Sequence, residues 1–247
     1  MSKHRVVSSE EWVAARQALL HEEKELTRLR DRVSQARREL PWVRVAKDYV
    51  FDGPSGTETL SDLFDGRSQL LVYHFMFDPS WSEGCKSCSF WADNFNGIVM
   101  HLAQRDVTMV AISRAPLEKL EAFRTRMGWS FKWVSAFHTN FNRDYRVSFL
   151  PEELAAGKVL YNYSTSDFGS PEAPGISVFY TEKDGDIFHT YSCYARGLDA
   201  INGAYQLLDL VPKGRDEAGL PYPMAWVSYH DTYDAHVRPE ITWRKPR

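Results

Sequence analysis

Apolar residues recur every seven positions near the start of the chain, at Trp12, Leu19, Leu26, Val33 and Leu40. Ala15, Leu29 and Ala36 each fall three places after a member of that series. The spacing predicts one long helix over residues 9–40, opened by a Ser8/Glu11 capping box and stopped by Pro41. Its stripe needs an apolar partner surface, either a second copy in a homodimer or the chain's own globular domain. Glu22, on the stripe, weakens the first alternative. From Val43 to Phe51 the pattern alternates in twos, and "DGPSG" with an apolar return through Leu60, Leu63 and Phe64 predicts a hairpin leading into the domain. "QLLVYHFMF" (69–77) and "VTMVAIS" (107–113) are continuous apolar runs, as expected of strands buried on both faces of a parallel sheet. Between them a helix is expected to bury Trp91, Phe95, Ile98 and Leu102.

Pro116 suits the start of a second helix, which buries Leu120, Phe123 and Met127 and ends at Gly128; the strand "FKWVSA" follows. Residues 137–174 lack periodicity and are expected to form an insertion folded over the sheet. "GISVFYTEKDGDIFHTYSCY" then reads as two strands joined at Asp184-Gly185, and "LDAINGAYQLLDL" as a closing helix. The organisation expected is a helical extension (1–41), an α/β domain (42–212) and a covering tail (213–247).

Composition narrows the partners. A formal net charge of −3 over 247 residues leaves no general basic field, so neither nucleic acid nor an anionic membrane is expected. The first residues have no signal-peptide core, and no apolar run approaches the roughly 20 residues of a membrane helix, which makes a cytoplasmic location the default. Three cysteines, Cys85, Cys88 and Cys193, are too few for a disulfide scaffold. In a reducing compartment Cys85 and Cys88, spaced C-x-x-C, read as redox or metal chemistry.

Stepping back three from Trp91 lands on Cys88, so both cysteines belong to the turn from strand to helix. Cys85 at a helix N-terminus would have its thiol pKa lowered by free N–H groups and the helix dipole. Cys88, on the core-facing stripe, would be shielded yet able to attack a mixed disulfide on Cys85. A structural metal needs about four ligands, and only Cys193 and scattered histidines such as those of "HDTYDAH" (230–236) are on offer. No metal and no cofactor are therefore expected.

The order strand, helix, strand, helix, hairpin, helix resembles the thioredoxin fold: an α/β protein with a central mixed sheet, here preceded by a long N-terminal helix and a β-hairpin. "GCKSCSFWADNFNG", "SRAPLEKLEAF", "MGWSF", "YARGLDAINGAYQLLDL" and "PKGR" resemble the bacterial domain-of-unknown-function family 899, described as predicted dithiol-disulfide oxidoreductases, over nearly the whole chain. The resemblance implies a thiol-disulfide oxidoreductase with Cys85 attacking, Cys88 resolving, and a protein or small-molecule thiol or disulfide as substrate. The loop is Cys-Lys-Ser-Cys where thioredoxin has Cys-Gly-Pro-Cys, and the thioredoxin cis-proline can only be matched to Pro174. Strand direction places Asp78 to Trp81, Arg114 and Tyr191 to Arg196 near Cys85. With Lys86 inside the loop, the two arginines would tune the thiol or remain solvated loop charges, and Trp81 would shape a groove or simply pack. His74 reads as a core histidine rather than a catalyst, and Cys193 as a small buried hydrophobe or a third redox cysteine. The rival enzyme is a peroxidase of the peroxiredoxin kind, whose motif has Pro seven and Thr or Ser three residues before its cysteine. Ser82 fits that motif, but Asp78 occupies the proline position, with Pro79 one place off. A third possibility, from another class, is a non-catalytic binding protein on a thioredoxin-like scaffold.

Overall fold

The computed structural model describes residues 4–182 and 185–233. The chain divides after Trp42 into a helical unit and a larger α/β unit. The helical unit is α1 (Ser9–Arg38). Its capping box forms as the sequence predicts: Glu11 N–H donates to Ser8 Oγ at 3.2 Å and Ser8 N–H to Glu11 Oε2 at 3.0 Å. No residue of α1 is buried.

The larger unit begins with β1 (Val43–Arg44), β2 (Val50–Gly53), β3 (Gly56–Thr59) and β4 (Gln69–His74). Then come α2 (Lys86–Ala92), α3 (Val99–Ala103), β5 (Val107–Ser113), α4 (Leu117–Arg126) and β6 (Lys132–Ser135). The insertion supplies α5 (Phe141–Asp144), α6 (Pro151–Ala155), β7 (Val159–Tyr161) and β8 (Ser164–Ser166). The chain then runs through β9 (Gly175–Thr181), β10 (Ile187–Tyr194), a 3-10 turn at Ala195–Ile201 and α7 (Gly203–Leu208). Among the described residues the main sheet has the order β1-β10-β9-β4-β5-β6-β2-β3, and β7 and β8 form a separate ribbon.

β4 and β5 run parallel, from Gln69 opposite Val107 to His74 opposite Ile112, while β9 lies antiparallel on the other side of β4 and β10 antiparallel to β9. A parallel pair joined by a helical crossover, extended by an antiparallel hairpin in the order β10-β9-β4-β5, is the thioredoxin fold. The turn dipeptide assigned to the β9–β10 hairpin includes Asp184, which lies outside the described residues.

Alternation along β4 sends Tyr73 to one face of the sheet and Leu70 and Val72 to the other. The first face packs with α2 and α4 into a core rich in aromatic rings, and Trp133, Tyr73 and Phe77 are fully buried there. Each such side chain contributes roughly 1.5–3 kcal/mol by leaving water. The second face is closed by Phe51, Leu63, Phe64 and Phe141.

Three local expectations need correction. The alternating stretch from Val43 is not one arm of the hairpin. β1 pairs with β10 at one edge of the sheet, and the β2–β3 hairpin sits at the other, beyond β6. Lys47 and Tyr49, both bonded to Asp144, anchor the crossing segment between the two edges. The helix after the cysteines breaks into α2 and α3, because the Asn94 amide donates to the Phe90 and Trp91 carbonyls and competes with the helical ladder, leaving Ile98 exposed. The closing helix is likewise divided, since Asn202 turns from the 3-10 segment and its side chain caps Tyr205 N–H at 3.0 Å.

Candidate functional site

Beyond β4 the chain continues through Phe75 and Phe77, and the reversal that follows is tied at several points. The Asp78 carboxylate accepts from Ser80 N–H at 2.9 Å and from its hydroxyl at 2.6 Å. Lys119 Nζ donates to the carbonyls of Pro79 and Trp81 at 2.7 and 2.9 Å. Cys85 N–H returns to the Met76 carbonyl at 3.1 Å. Gly84 permits the close approach: a Cβ there would lie 2.7 Å from the Phe75 ring and 3.0 Å from that of Phe123.

Cys85 is the N-cap of α2, with Cys88 N–H donating to its Sγ at 3.4 Å. Cys85 is half-buried and Cys88 buried, and no disulfide joins them. The environments pull the two thiols apart. Cys85 is lowered to about 7, chiefly by a hydrogen bond from the Cys88 side chain and further by the N–H groups of Cys88 and Ser87 and the Ser87 side chain, against some desolvation. Cys88 is pushed well above the usual thiol range by burial and by the neighbouring Cys85. Tyr73, fully buried beneath α2, donates its hydroxyl to the Cys88 carbonyl at 3.2 Å. Trp91 fixes the outer side of the helix by donating Nε1–H to the Leu198 carbonyl at 2.8 Å.

The other residues expected at the site occupy varied positions. Lys86 is the exposed first residue of α2, Ser82 is exposed, and Trp81 is half-buried against the aromatic core. Arg114 is held elsewhere: its guanidinium bonds Asp78 Oδ2 and Glu172 Oε1, each at 2.5 Å, so it organises two loops, and the lowering of Cys85 comes from hydrogen bonds. Arg196 is largely exposed and pairs with Asp199 at 3.2 Å. Pro174 directly precedes β9, but the cis geometry expected from thioredoxin is absent, for no cis peptide occurs among the described residues. Instead the insertion's Tyr161 donates to the Pro174 carbonyl at 2.7 Å and receives Ala195 N–H at 2.9 Å. Pro174, Arg196, Ser87 and Cys88 share the wall of a cavity of about 670 Å³, together with Trp91, Leu198, Tyr205 and Met224.

Sequence reasoning missed several groups here. Glu172, 1% exposed, bonds Ser148 Oγ at 2.7 Å as well as Arg114, and burial raises its carboxyl to about 7 against the opposing pull of that arginine. The tail also reaches the cysteine turn: Tyr229 donates to the Gly84 carbonyl at 2.7 Å, and Arg126 bridges Glu83 and Asp231. Glu217 gathers Tyr205, Trp226 and Met224 N–H around one carboxylate oxygen. None of these carries a motif, and the sequence marks the stretches they come from only as an insertion without periodicity and a covering tail.

Cys193 lies on β10 opposite Ile176 and packs half-buried against the aromatic core that also holds Cys88. Among the described residues no group of three His, Cys, Asp or Glu is placed to hold a metal ion. His230 pairs with Asp93, and His236 lies outside the described residues. No described helix is long and apolar enough to cross a membrane.

Residues 1–233 match the family described as bacterial protein of unknown function (DUF899). The chain belongs to that family. No curated protein matches it. Among solved structures, a cysteine-to-serine variant of peroxiredoxin Q from Xanthomonas campestris is similar at 15% identity and a TM-score of 0.43, over 64% of this chain and 90% of that one. The peroxidoxin BcpB of Mycobacterium tuberculosis is similar at 14% identity and a TM-score of 0.42, over 68% and 97% of the two chains. Likenesses this distant carry no functional argument, and the fold assignment for this DUF899 member rests on its strand order.

Proposed function

We propose that this DUF899 protein is a thiol-disulfide oxidoreductase in which Cys85 attacks and Cys88 resolves. The observation that carries the reading is the asymmetry at the start of α2: Cys85 is the half-buried N-cap with Cys88 N–H donating to its sulfur, and Cys88 lies buried one turn on, an arrangement that lowers the first thiol and raises the second. The Cys85 thiolate attacks one sulfur of a substrate disulfide, whose S–S bond breaks and releases a thiolate. The remaining half stays bonded to Cys85. Cys88, giving up its proton, then attacks Cys85 Sγ, and the second substrate thiolate leaves. Two electrons and two protons pass to the substrate, and the protein is left with a Cys85–Cys88 disulfide. The cavity next to Cys88, walled mainly by apolar side chains, supports a substrate that presents apolar groups, whether on a protein or a small molecule.

The test is a pair of variants assayed for disulfide reduction and for consumption of hydrogen peroxide. Cys88→Ser is expected to accumulate a mixed disulfide on Cys85, visible by mass spectrometry, and Cys85→Ser to lose exchange altogether. Equal residual reductase activity in the two variants would refute the assigned roles. Peroxide consumption faster than disulfide exchange, and retained in Cys88→Ser with an external thiol, would put the peroxidase reading in its place.

A further inference from the structure

α1 carries an apolar stripe, interrupted by Glu22, whose side chains are exposed. Trp12, Leu19, Leu26, Leu29 and Val33 are between 41% and 59% exposed, and none of the helix's 30 residues is buried. Helices in proteins draw most of their stability from packing an apolar face, whereas a capping box and exposed ion pairs such as Arg16–Glu23 at 2.6 Å supply little. With Trp12, Leu19, Leu26 and Val33 at the first core position of a heptad, Ala15, Glu22, Leu29 and Ala36 take the second. The repeat extends over four heptads, the length at which a coiled coil becomes a specific expectation.

The flanking charges select the occupant and its direction. In a parallel pair each residue just before a first core position faces the residue five further along the partner helix. Glu11 then meets Arg16 and Glu25 meets Arg30, both attractive, while among these flanking pairs only Arg32 against Arg37 repels. In an antiparallel pair overlapping along the whole helix, Glu23 meets Glu23, Glu25 meets Glu25, Glu11 meets Glu39 and Arg16 meets Arg30. All four of those repel. We infer that α1 is a parallel, two-stranded coiled-coil seam whose partner is a second copy of this chain. Glu22 stands in the core of that seam opposite its own copy, where two like charges weaken the association and keep it reversible.

The experiment is sedimentation of the full reduced chain, with disulfide trapping. The wild type is expected at twice its 28.5 kDa mass. Glu22→Leu should tighten the dimer about tenfold, the factor worth about 1.4 kcal/mol, and Leu19→Asp with Leu26→Asp should yield a monomer whose near-ultraviolet circular dichroism, dominated by the α/β unit, is unchanged. Ala15→Cys, placed in a chain whose three native cysteines are serine, should cross-link to its own copy on oxidation. A monomeric wild type, a higher oligomer, or a dimer indifferent to both Glu22→Leu and the double aspartate change would overturn the inference. A dimer that cross-links only when Val33→Cys accompanies Ala15→Cys would overturn the parallel arrangement.

Discussion

The two faces of the central sheet each bury a titratable group near the end of β4, with opposite consequences. On the α2 face the Cys85 pKa falls to about 7, because hydrogen bonds reach its sulfur and favour the anion. On the other face the His74 pKa falls to about 3, because burial among Phe141 and Tyr145 disfavours the cation. His74 Nε2 meets Ser177 Oγ at 2.8 Å, Ser177 continues to Ser192 at 2.8 Å, and His189 Nε2 meets the same serine at 2.7 Å, while His74 Nδ1 has no partner among the described residues. The same direction of shift thus creates charge on one face near neutrality and removes it on the other. Burial alone silences a group; burial with aimed donors makes it reactive.

The largest expected effect breaks the comparison at the cysteine. Cys85→Ser should reduce disulfide exchange to the uncatalysed background, whereas His74→Gln should leave the exchange rate within a factor of about two, as the ordinary fate of a group remote from the reacting atoms. Next comes Glu172→Ala, which strands Arg114 between one lost and one remaining carboxylate in a partly buried site. A loss of roughly 3 kcal/mol in denaturant unfolding is expected. His74→Gln itself should cost about 2 kcal/mol at neutral pH, and it should also change the acid limb.

The sign follows from the lowered value of His74. Between about pH 6.5 and 3 the unfolded chain holds a proton that the folded chain does not, so wild-type stability falls as the pH falls through that window. The variant should lack one proton's worth of that slope, about 1.4 kcal/mol per pH unit. Smallest is the effect of Ser87→Ala, which removes one hydroxyl from the Cys85 environment and leaves the N–H donors. Iodoacetamide should alkylate wild-type Cys85 with a midpoint near pH 7, faster above it as the thiolate forms, and the variant's midpoint should move upward. An unmoved midpoint would assign the lowering to the Cys88 thiol and the backbone N–H groups alone.

Much of this was legible because it is local. The apolar runs of β4 and β5, the capping box of α1, Pro116 at the start of α4 and the cysteines at a strand-to-helix turn all depend on residues a few positions apart, where periodicity and cap chemistry operate. The break between α2 and α3 was harder to see, since a stripe in steps of three and four continues across it while the Asn94 amide competes for carbonyls. The use of Arg114 was not legible either. Its two carboxylate partners lie 36 and 58 residues away, one of them in an insertion without periodicity. Tyr161, Glu172 and Tyr229 reach the site by tertiary contact from stretches that carry no repeat, so composition could mark them only as cover.

The strap from Tyr229 to the Gly84 carbonyl joins residues 145 positions apart. During synthesis the cysteine turn therefore leaves the ribosome long before the segment that fastens it, and at roughly 5–20 residues per second the delay is on the order of ten seconds. Through that interval the turn that carries the first thiol lacks this strap and relies on the ties from Met76 and, once α4 is made, from Lys119. A protease that cuts within residues 213–224 would leave that fastening to non-covalent contacts alone, with both cysteines intact.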